Sequence, residues 1–329
     1  MQRAMPMRHR LAAACLVVAT SFPVTGVVAQ TYPVKPVRLI VPYAPGGGVD
    51  IIGRIVAGKL AERLGTQVIV ENRGGGGTII GSEAVARAAP DGYSLLFANP
   101  ALAANPALNE KLPYDTLHDF TPVIIVAASY NVLVVHPALP AKSVRELVAL
   151  AKSRPGQLNY ASAGEGSAIY LAMAHFQNVT GIDVVHIPYK GAGPALADVV
   201  GGQVPMMFIA SPPAVGFINA GKLRGLGVSS AKRLPILPEI STIAESGYPG
   251  FEVNNWYGVV APAETPKPII ARLNTEINAV LAATDVKARI QSLGADPAGG
   301  TPEQFGARLN ADLATWSKVF GKSVSRMPR

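Results

Sequence analysis

From residue 37 onward, the hydrophobic positions of the chain alternate between two periods. Short apolar runs at residues 37–41, 68–70 and 95–98 have the length and composition of buried strands. Apolar residues at helical spacing follow the first run, between Ile51 and Leu64, and the same alternation returns over residues 132–209. Runs that are apolar on both faces are typical of parallel strands covered by helices. The pattern therefore predicts an α/β fold.

Two helix starts carry capping boxes, in which the first and fourth side chains satisfy each other's free backbone donors. Ser143 and Glu146 form one box, and Thr301 and Gln304 form the other. They predict helices that begin there and run to about residues 153 and 320. Asp50 is expected to be the N-cap of the helix that follows the first strand, because its side chain suits the N–H of N2 or N3.

The domain organisation follows from two strand-like passages, residues 123–128 and 252–260, which lie where a chain could cross between two α/β units. A double crossover makes the first domain discontinuous and creates a hinge, with a ligand cleft between the domains. We therefore predict that domain 1 comprises residues 30–128 plus 255–329 and that domain 2 comprises residues 129–254.

The first 29 residues have the three parts of a secretory signal peptide. Arg3, Arg8 and Arg10 form a basic segment, residues 11–18 are apolar, and Ala29 ends a small-residue cleavage site. The apolar segment is shorter than the roughly 20 residues that span a bilayer. A lipoprotein anchored at Cys15 is the alternative, but the cysteine would end the apolar segment too early. We predict cleavage before Gln30 and a periplasmic mature protein.

Composition narrows the chemistry further. The formal net charge of the 329-residue chain is +8, and it falls to +5 when the signal peptide removes three arginines. This mild excess, without basic blocks or interleaved aromatics, does not indicate a nucleic-acid partner. The single cysteine, Cys15, leaves with the signal peptide, so we expect no disulfide, no cysteine metal site, no catalytic thiol and no cofactor.

The loop Pro45–Asp50 joins the first strand to its helix and contains three consecutive glycines, Gly46, Gly47 and Gly48. Glycine allows positive φ and close backbone approach to a ligand, and the N–H groups at a helix start favour an anion. No lysine follows, as a P-loop requires, and residue 51 is Ile where a dinucleotide motif needs glycine. A simple tight turn stays the alternative, although three glycines exceed what a turn needs.

A second loop, residues 162–167, offers serine hydroxyls and glycine N–H groups, which donate hydrogen bonds without adding charge. It resembles a nucleophile elbow only superficially, and the four histidines that remain after signal removal are dispersed, so a hydrolase is disfavoured. Residues 74–77, four glycines, are either a flexible surface loop or a ligand contact. Trp256 and Tyr257 are read as packing residues, with a cleft wall as the alternative.

The chain also resembles the Bug-type solute-binding receptors of tripartite tricarboxylate transport, in segments that appear in the expected order over nearly all of residues 33–320. These segments are VPYAPGGGVD (41–50), VENR (70–73), APDGY (89–93), YASAG (160–164), PYKG (188–191) and WYG (256–258). The resemblance implies a type II periplasmic-binding-protein fold with a double-crossover hinge. It also implies that the two domains close on a small carboxylate, held by backbone groups of the two strand-to-helix loops.

Carried over position by position, the resemblance implies the ligand contacts. In the first domain these are Tyr43, Ala44, Pro45, Gly46, Gly47, Gly48, Val49, Asp50 and Asn99. In the second domain they are Ser162, Gly164, Gly166, Ser167 and Tyr189. The chain departs from many members at Ile209, where they have Asp; if that position faces the cleft, a partner for a ligand amine is missing.

The sequence thus favours a non-enzymatic periplasmic receptor for a small organic carboxylate, a diacid or aromatic acid rather than an amino acid. The expected partners are membrane transporter subunits or a sensor kinase, and the receptor is expected to be monomeric. A periplasmic signalling partner without a transporter and, less favoured, an enzyme on the same fold are the alternatives. Neither recognisable acid/base pairs nor metal-spaced histidines support the enzyme.

Overall fold

A computed structural model of the chain describes residues 1–2 and 32–320. The proposed signal peptide and its cleavage site lie outside the described residues, apart from Met1 and Gln2. Within the described part of the chain, no helix is long and apolar enough to cross a membrane.

Ten strands and ten helices alternate along the described chain. The strands are β1 (Val37–Val41), β2 (Val68–Asn72), β3 (Ser94–Ala98), β4 (Phe120–Val135), β5 (Asn159–Ser162), β6 (Val185–Pro188), β7 (Met206–Ala210), β8 (Arg224–Val228), β9 (Asn254–Pro262) and β10 (Ala295–Pro297). The helices are α1 (Gly48–Leu64), α2 (Ile79–Ala86), α3 (Ala101–Leu108), α4 (Val144–Ser153), α5 (Ala168–Thr180), α6 (Ala192–Val200), α7 (Ser211–Asn219), α8 (Lys267–Ala282), α9 (Thr284–Gln291) and α10 (Pro302–Phe320), with a 3-10 turn at Gly76–Thr78 before α2.

The long strand β4 belongs to both halves of the sheet, whose order is β2-β1-β3-β9-β4-β7-β5-β6. Its residues 120–130 pair with β9, whereas residues 131–135 pair with β7 and residues 132–135 also with β8. We call the half built on β1, β2, β3 and β10 the first lobe and the half built on β5 to β8 the second lobe. The two passages expected to cross between domains are thus strands β4 and β9; the domain boundaries themselves stay a prediction.

The sheet is mixed, which corrects the expectation of purely parallel pairing. Strand β1 is parallel to β2 and β3, and β5 is parallel to β6 and β7. By contrast, β4 and β9 are antiparallel to each other and to their neighbours β7 and β3. The reason is topological: the chain passes from the first lobe to the second along β4 and returns along β9.

Both predicted capping boxes are confirmed. The N–H of Glu146 donates to Ser143 Oγ at 3.2 Å, and the N–H of Gln304 donates to Thr301 Oγ1 at 3.3 Å. In the second box the Thr301 N–H also donates to Gln304 Oε1 at 2.9 Å, whereas Glu146 accepts from the N–H of Lys142, one residue before the cap. These local contacts fix the starts of α4 and α10.

Candidate ligand-binding site

A cavity of about 30 Å³ lies between the two lobes, at the strand ends where the helices begin. Within the described part of the chain, no charged side chain is among those that line it. The lining residues are Tyr43, Gly47, Gly48, Val49 and Asn99 from the first lobe, Ala163, Ser167, Ala168, Ile169, Ala192 and Ala210 from the second, and Asn255 and Tyr257 from β9. Its lining therefore combines small apolar residues with a few neutral polar side chains.

Five helix N-termini converge on this cavity. Gly48, Ala168 and Ala192 are the first residues of α1, α5 and α6, and all three line it. The residues just before α3 and α7, Asn99–Pro100 and Ala210, bring two further N-termini to the same space. Free N–H groups and the helix dipole place partial positive charge at each end. The site therefore suits an anion even though no cationic side chain lines it.

Asp50 positions the first cleft loop and is not the helix N-cap, which corrects the sequence expectation. Gly47 occupies the N-cap position of α1, and Asp50 lies in the first turn. Its carboxylate reaches back to accept from the N–H of Gly46 at 3.0 Å, and it also accepts from Arg54 Nε and Asn72 Nδ2, each at 2.9 Å. Burial alone would raise the pKa of Asp50, but these hydrogen bonds outweigh it and lower the pKa. The ionised carboxylate of Asp50 thus holds the loop in place through these three hydrogen bonds.

The positive φ in this loop belongs to Gly46, at +91°, whereas Gly47 has an ordinary extended φ of −85°. Gly47 is still needed for close approach, because a Cβ there would lie 3.1 Å from Ala192 Cβ of the second lobe. At the next position, a Cβ on Gly48 would lie 2.5 Å from the hydroxyl of Tyr257. Glycine was expected here to let a ligand approach the backbone. The structure shows that glycine at these positions also leaves room for Ala192 of the opposite lobe and for Tyr257 in the cavity wall.

On the first-lobe wall, Tyr43 and Asn99 form a buried pair. The Tyr43 hydroxyl donates to Asn99 Oδ1 at 3.2 Å, and the same oxygen accepts from the N–H of Ala101 at the start of α3. Burial raises the pKa of Tyr43, so its hydroxyl stays protonated. Both residues line the cavity.

In the second cleft loop, Ser162 is hydrogen-bonded to a histidine that sequence spacing could not place. Ser162 Oγ lies 2.6 Å from His186 Nε2 and accepts from the N–H of Gly164 at 3.0 Å. The His186 ring stacks on Tyr160, and burial lowers its pKa, partly offset by Glu165. Ser162 is fully buried, and in residues 32–320 no carboxylate hydrogen-bonds the imidazole. The pair therefore holds the loop in shape and lacks the orienting acid of a catalytic triad.

The two lobes touch directly around the cavity, through backbone and glycine. The N–H of Ala44 donates to the carbonyl of Lys190 across the cleft at 3.1 Å. A Cβ on Gly193 would lie 2.0 Å from the Pro45 carbonyl oxygen, and one on Gly77 would lie 2.2 Å from the Glu165 oxygen. The structure is thus a closed form, in which glycine is required where the lobes meet.

The structure places the predicted site residues in four groups. Six line the cavity: Tyr43, Gly47, Gly48, Val49, Asn99 and Ser167. Ala44, Pro45, Gly46 and Gly166 lie at contacts between the lobes, the last beside Asn105 of α3. Gly164 and Tyr189 line a neighbouring cavity of about 370 Å³ that shares Tyr43 and Ala163. Asp50 and Ser162 support the loops from behind.

Sequence reasoning missed several cavity residues. Ala163, Ala168 and Ile169 adjoin the predicted serines, whereas Ala192, Ala210 and Asn255 carry no chemistry that would single them out. The only sequence signal for Ala192 and Ala210 was the start of a helix after a strand. The two adjacent aromatic residues have different surroundings. Tyr257 lines the cavity, whereas Trp256 packs on Phe305 in the core.

Ile209 does not line the cavity; it is fully buried in the core opposite Val132, and the neighbouring Ala210 faces the ligand space instead. The missing acid at position 209 therefore says little about ligand amines. The cavity lining is more informative about ligand amines, because none of its described residues is an acid that could pair with one.

Comparison with known proteins shows which family the chain is related to. A family profile described as "Tripartite tricarboxylate transporter family receptor" matches residues 52–323. The chain is 37% identical to Protein BugT of Bordetella pertussis (strain Tohama I) over 98% of this chain and all of the relative. It is 40% identical to the UPF0065 protein in the tcbD-tcbE intergenic region of Pseudomonas sp. (strain P51), over 88% of this chain and 87% of that one. The chain belongs to the tripartite tricarboxylate transporter receptor family.

Solved structures confirm the predicted type II periplasmic-binding-protein fold. The periplasmic binding protein BugD superposes with a TM-score of 0.86 at 35% identity, covering 88% of this chain and 98% of BugD. Rpa4515 of R. palustris with adipate (35% identity, 98% covered) and MatC of Rhodopseudomonas palustris with bound malate (33% identity, fully covered) each superpose with a TM-score of 0.85 over 88% of this chain. The predicted Bug-type resemblance is thereby confirmed, and these neighbours are solute-binding proteins.

Proposed function

We propose that this receptor captures a small organic carboxylate in the periplasm and presents it to membrane transporter subunits. The observation that carries the proposal is the convergence of five helix N-termini on a cavity without charged side chains. Such a site stabilises one carboxylate through neutral dipoles, without a salt bridge. Two family neighbours bind dicarboxylates, adipate and malate, which is consistent with this chemistry.

Amino acids are disfavoured as ligands. An ammonium group would face the positive ends of helices without an acidic partner among the described cavity residues, which costs free energy. Carboxylates that carry no amine, such as diacids and aromatic acids, avoid this cost. The proposed ligand class therefore excludes the zwitterions that many two-domain receptors take up.

Capture requires opening. The lobes touch around the closed cavity, whose volume is about 30 Å³, so an organic acid can enter only when they separate. We propose that the lobes separate about the crossovers at residues 127–130 and 253–256 and close again on the ligand. Domain 1 then comprises residues 30–128 plus 255–329, and domain 2 comprises residues 129–254.

The proposal is tested with the mature protein that begins at Gln30, purified without bound ligand. A thermal-shift panel of diacids, aromatic acids and amino acids should show stabilisation by carboxylates alone, because a ligand that binds only the folded state raises its stability. The primary amides of the same acids are the matched controls, since they keep the shape and lose the charge. Equal stabilisation by acids and amides would contradict an anion site.

Two further measurements address location and partner. N-terminal sequencing of the exported protein should begin at Gln30; an acylated Cys15 would overturn the signal-peptide assignment. Co-purification of membrane subunits with the ligand-loaded receptor supports transport. Capture of a sensor kinase in their place would favour the signalling alternative.

A further inference from the structure

Four buried side-chain atoms lack a hydrogen-bond partner among residues 32–320, and three of them lie on the two hinge strands. They are both amide atoms of Asn131 on β4 and Oδ1 of Asn255 on β9; the fourth is Asn105 Oδ1. Asn131 is fully buried and Asn255 is 4% exposed. Buried amides without partners cost free energy, so their presence calls for an occupant that pairs with them.

The two asparagines face the same side of the sheet, towards the cavity. Ser129 is directly opposite Asn255, and its Oγ lies 2.9 Å from the hydroxyl of Tyr257, which lines the cavity. Asn131 is two residues further along β4, so its side chain points to the same face, and it is directly opposite Ala210, another cavity residue. We call Ser129, Asn131, Asn255 and Tyr257 the cavity floor; Asn255 and Tyr257 line the closed cavity, and Ser129 and Asn131 are buried beside them.

The floor is neutral and both donates and accepts hydrogen bonds. An amide supplies N–H donors and a carbonyl acceptor. Asn255 Nδ2 donates to the Tyr257 hydroxyl at 3.2 Å, and burial raises the pKa of Tyr257 to about 12, so that hydroxyl keeps its proton. A group that completes this set must itself both donate and accept.

A hydroxyl group both donates and accepts: its O–H pairs with one of the two Asn carbonyl oxygens, and its oxygen accepts from Asn131 Nδ2. A second carboxylate only accepts, so it would leave the Asn carbonyl oxygens unpaired and repelled. An ammonium would donate to them, but it cannot accept a hydrogen bond, so Asn131 Nδ2 would stay unpaired. A methyl group would leave all three atoms unpaired.

We infer that Asn131 and Asn255 form a distal subsite that binds a hydroxyl group at the far end of the ligand, so that the preferred ligands are hydroxy-monocarboxylates. The inference rests on the proposed function, because the carboxylate end is held by the cleft loops. It narrows the ligand class from carboxylates in general to those with a neutral donor–acceptor group opposite the carboxylate.

The test uses matched ligand series on the ligand-free mature protein. One series is aliphatic, with acids of about three to six carbons that end in methyl, hydroxyl, carboxylate or ammonium. The other is benzoate, 4-hydroxybenzoate, terephthalate and 4-aminomethylbenzoate. Affinities are measured by calorimetric titration. In the series that fits best, we expect the hydroxy acid to bind at least about tenfold more tightly than the methyl-ended acid or benzoate, because the site hydrogen-bonds the hydroxyl group.

Variants then assign the preference to the floor. Asn131→Leu and Asn255→Leu keep approximate volume and remove the amide, so each should lose the preference for the hydroxy acid over the matching plain acid. Asn131→Leu should also raise the unfolding temperature of the ligand-free protein, because it removes two unpaired buried polar atoms. Asn310→Leu on α10, where the amide is exposed to solvent, is the matched control and should change neither property.

The outcomes separate the two proposals. If no acid in either series binds, the proposed function fails. If plain acids or diacids bind as tightly as hydroxy acids, the carboxylate site stands and the distal subsite is wrong, with water as the partner of the asparagines. A hydroxyl preference that survives both Leu variants also overturns the subsite. Should a Leu variant fail to fold, the Asn131→Ala variant and the wild-type series decide.

Discussion

Gly193→Ala should abolish closure while leaving the fold intact. Gly193 is the second residue of α6, at the rim of the second lobe. An added Cβ would lie 2.0 Å from the Pro45 carbonyl oxygen, and side-chain Cβ atoms essentially never approach other heavy atoms more closely than 3.0 Å. The obstructing atom is backbone, which cannot rotate away as the end of a side chain can. The rims of the lobes must therefore separate by at least 1.0 Å at this contact.

The same change favours the helix. Alanine in a helix interior is about 0.5–1 kcal/mol more favourable than glycine, and a position near the N-terminus gives the lower part of that range. In an open form the Cβ meets nothing from the first lobe, so the free energy of unfolding of that form should be equal or higher. The clash therefore raises the free energy of the closed form alone.

The magnitude follows from the population of the closed form. Apparent affinity falls in proportion to the fraction of protein that can close. If the displaced rim costs only about 1.4 kcal/mol, the dissociation constant rises about tenfold. We expect at least that loss, because the clash also removes the hydrogen bond from Ala44 to Lys190, which needs the same approach.

The assay is titration with the best carboxylate from the panel, combined with small-angle scattering with and without saturating ligand. Gly216→Ala in α7 is the matched control, since this helical glycine has no heavy atom within 4 Å of an added Cβ. The control should bind and compact as wild type does. Wild-type affinity and compaction in Gly193→Ala would refute closure through this contact.

Three further results are expected. Ser167→Asp should keep the α5 N-cap, because Asp caps as well as Ser does, yet it should lose carboxylate binding by adding a negative charge to the cavity, as circular dichroism and titration would reveal. Lys190→Ala should change affinity and its salt dependence little, because the side chain is exposed and its carbonyl makes the contact between lobes; a large loss would contradict the dipole site. Burial lowers the pKa of both His175 and His186 in the folded state, so their contribution to stability is complete above about pH 6.5, the unfolded value, and is lost as pH falls below it. Urea unfolding between pH 8 and pH 5 should follow this course, and His186→Gln should reduce the slope; an unchanged slope would contradict it.

Much of the fold was predictable because it rests on contacts between near neighbours in the chain. The capping boxes at residues 143–146 and 301–304 span four residues each, and the two glycine-containing loops follow strands whose apolar runs are unmistakable. The sites of crossover were also readable, since both passages are apolar enough to be strands. The antiparallel pairing of β4 and β9 was not, because it depends on how the chain returns.

The sequence by itself determined that glycine-containing loops would join two strands to their helices, and it singled out six of the residues that line the cavity. Only the tertiary structure decided which groups meet there. Ser162 and His186, 24 positions apart, are joined because β5 and β6 pair in register, and Asn255 faces Ser129 because the two hinge strands run side by side. Periodicity and spacing report on neighbours within a few residues. The convergence of five helix N-termini and the placement of Asn131 and Asn255 on one face of the sheet depend instead on strand order and register, which form only when distant parts of the chain pack together.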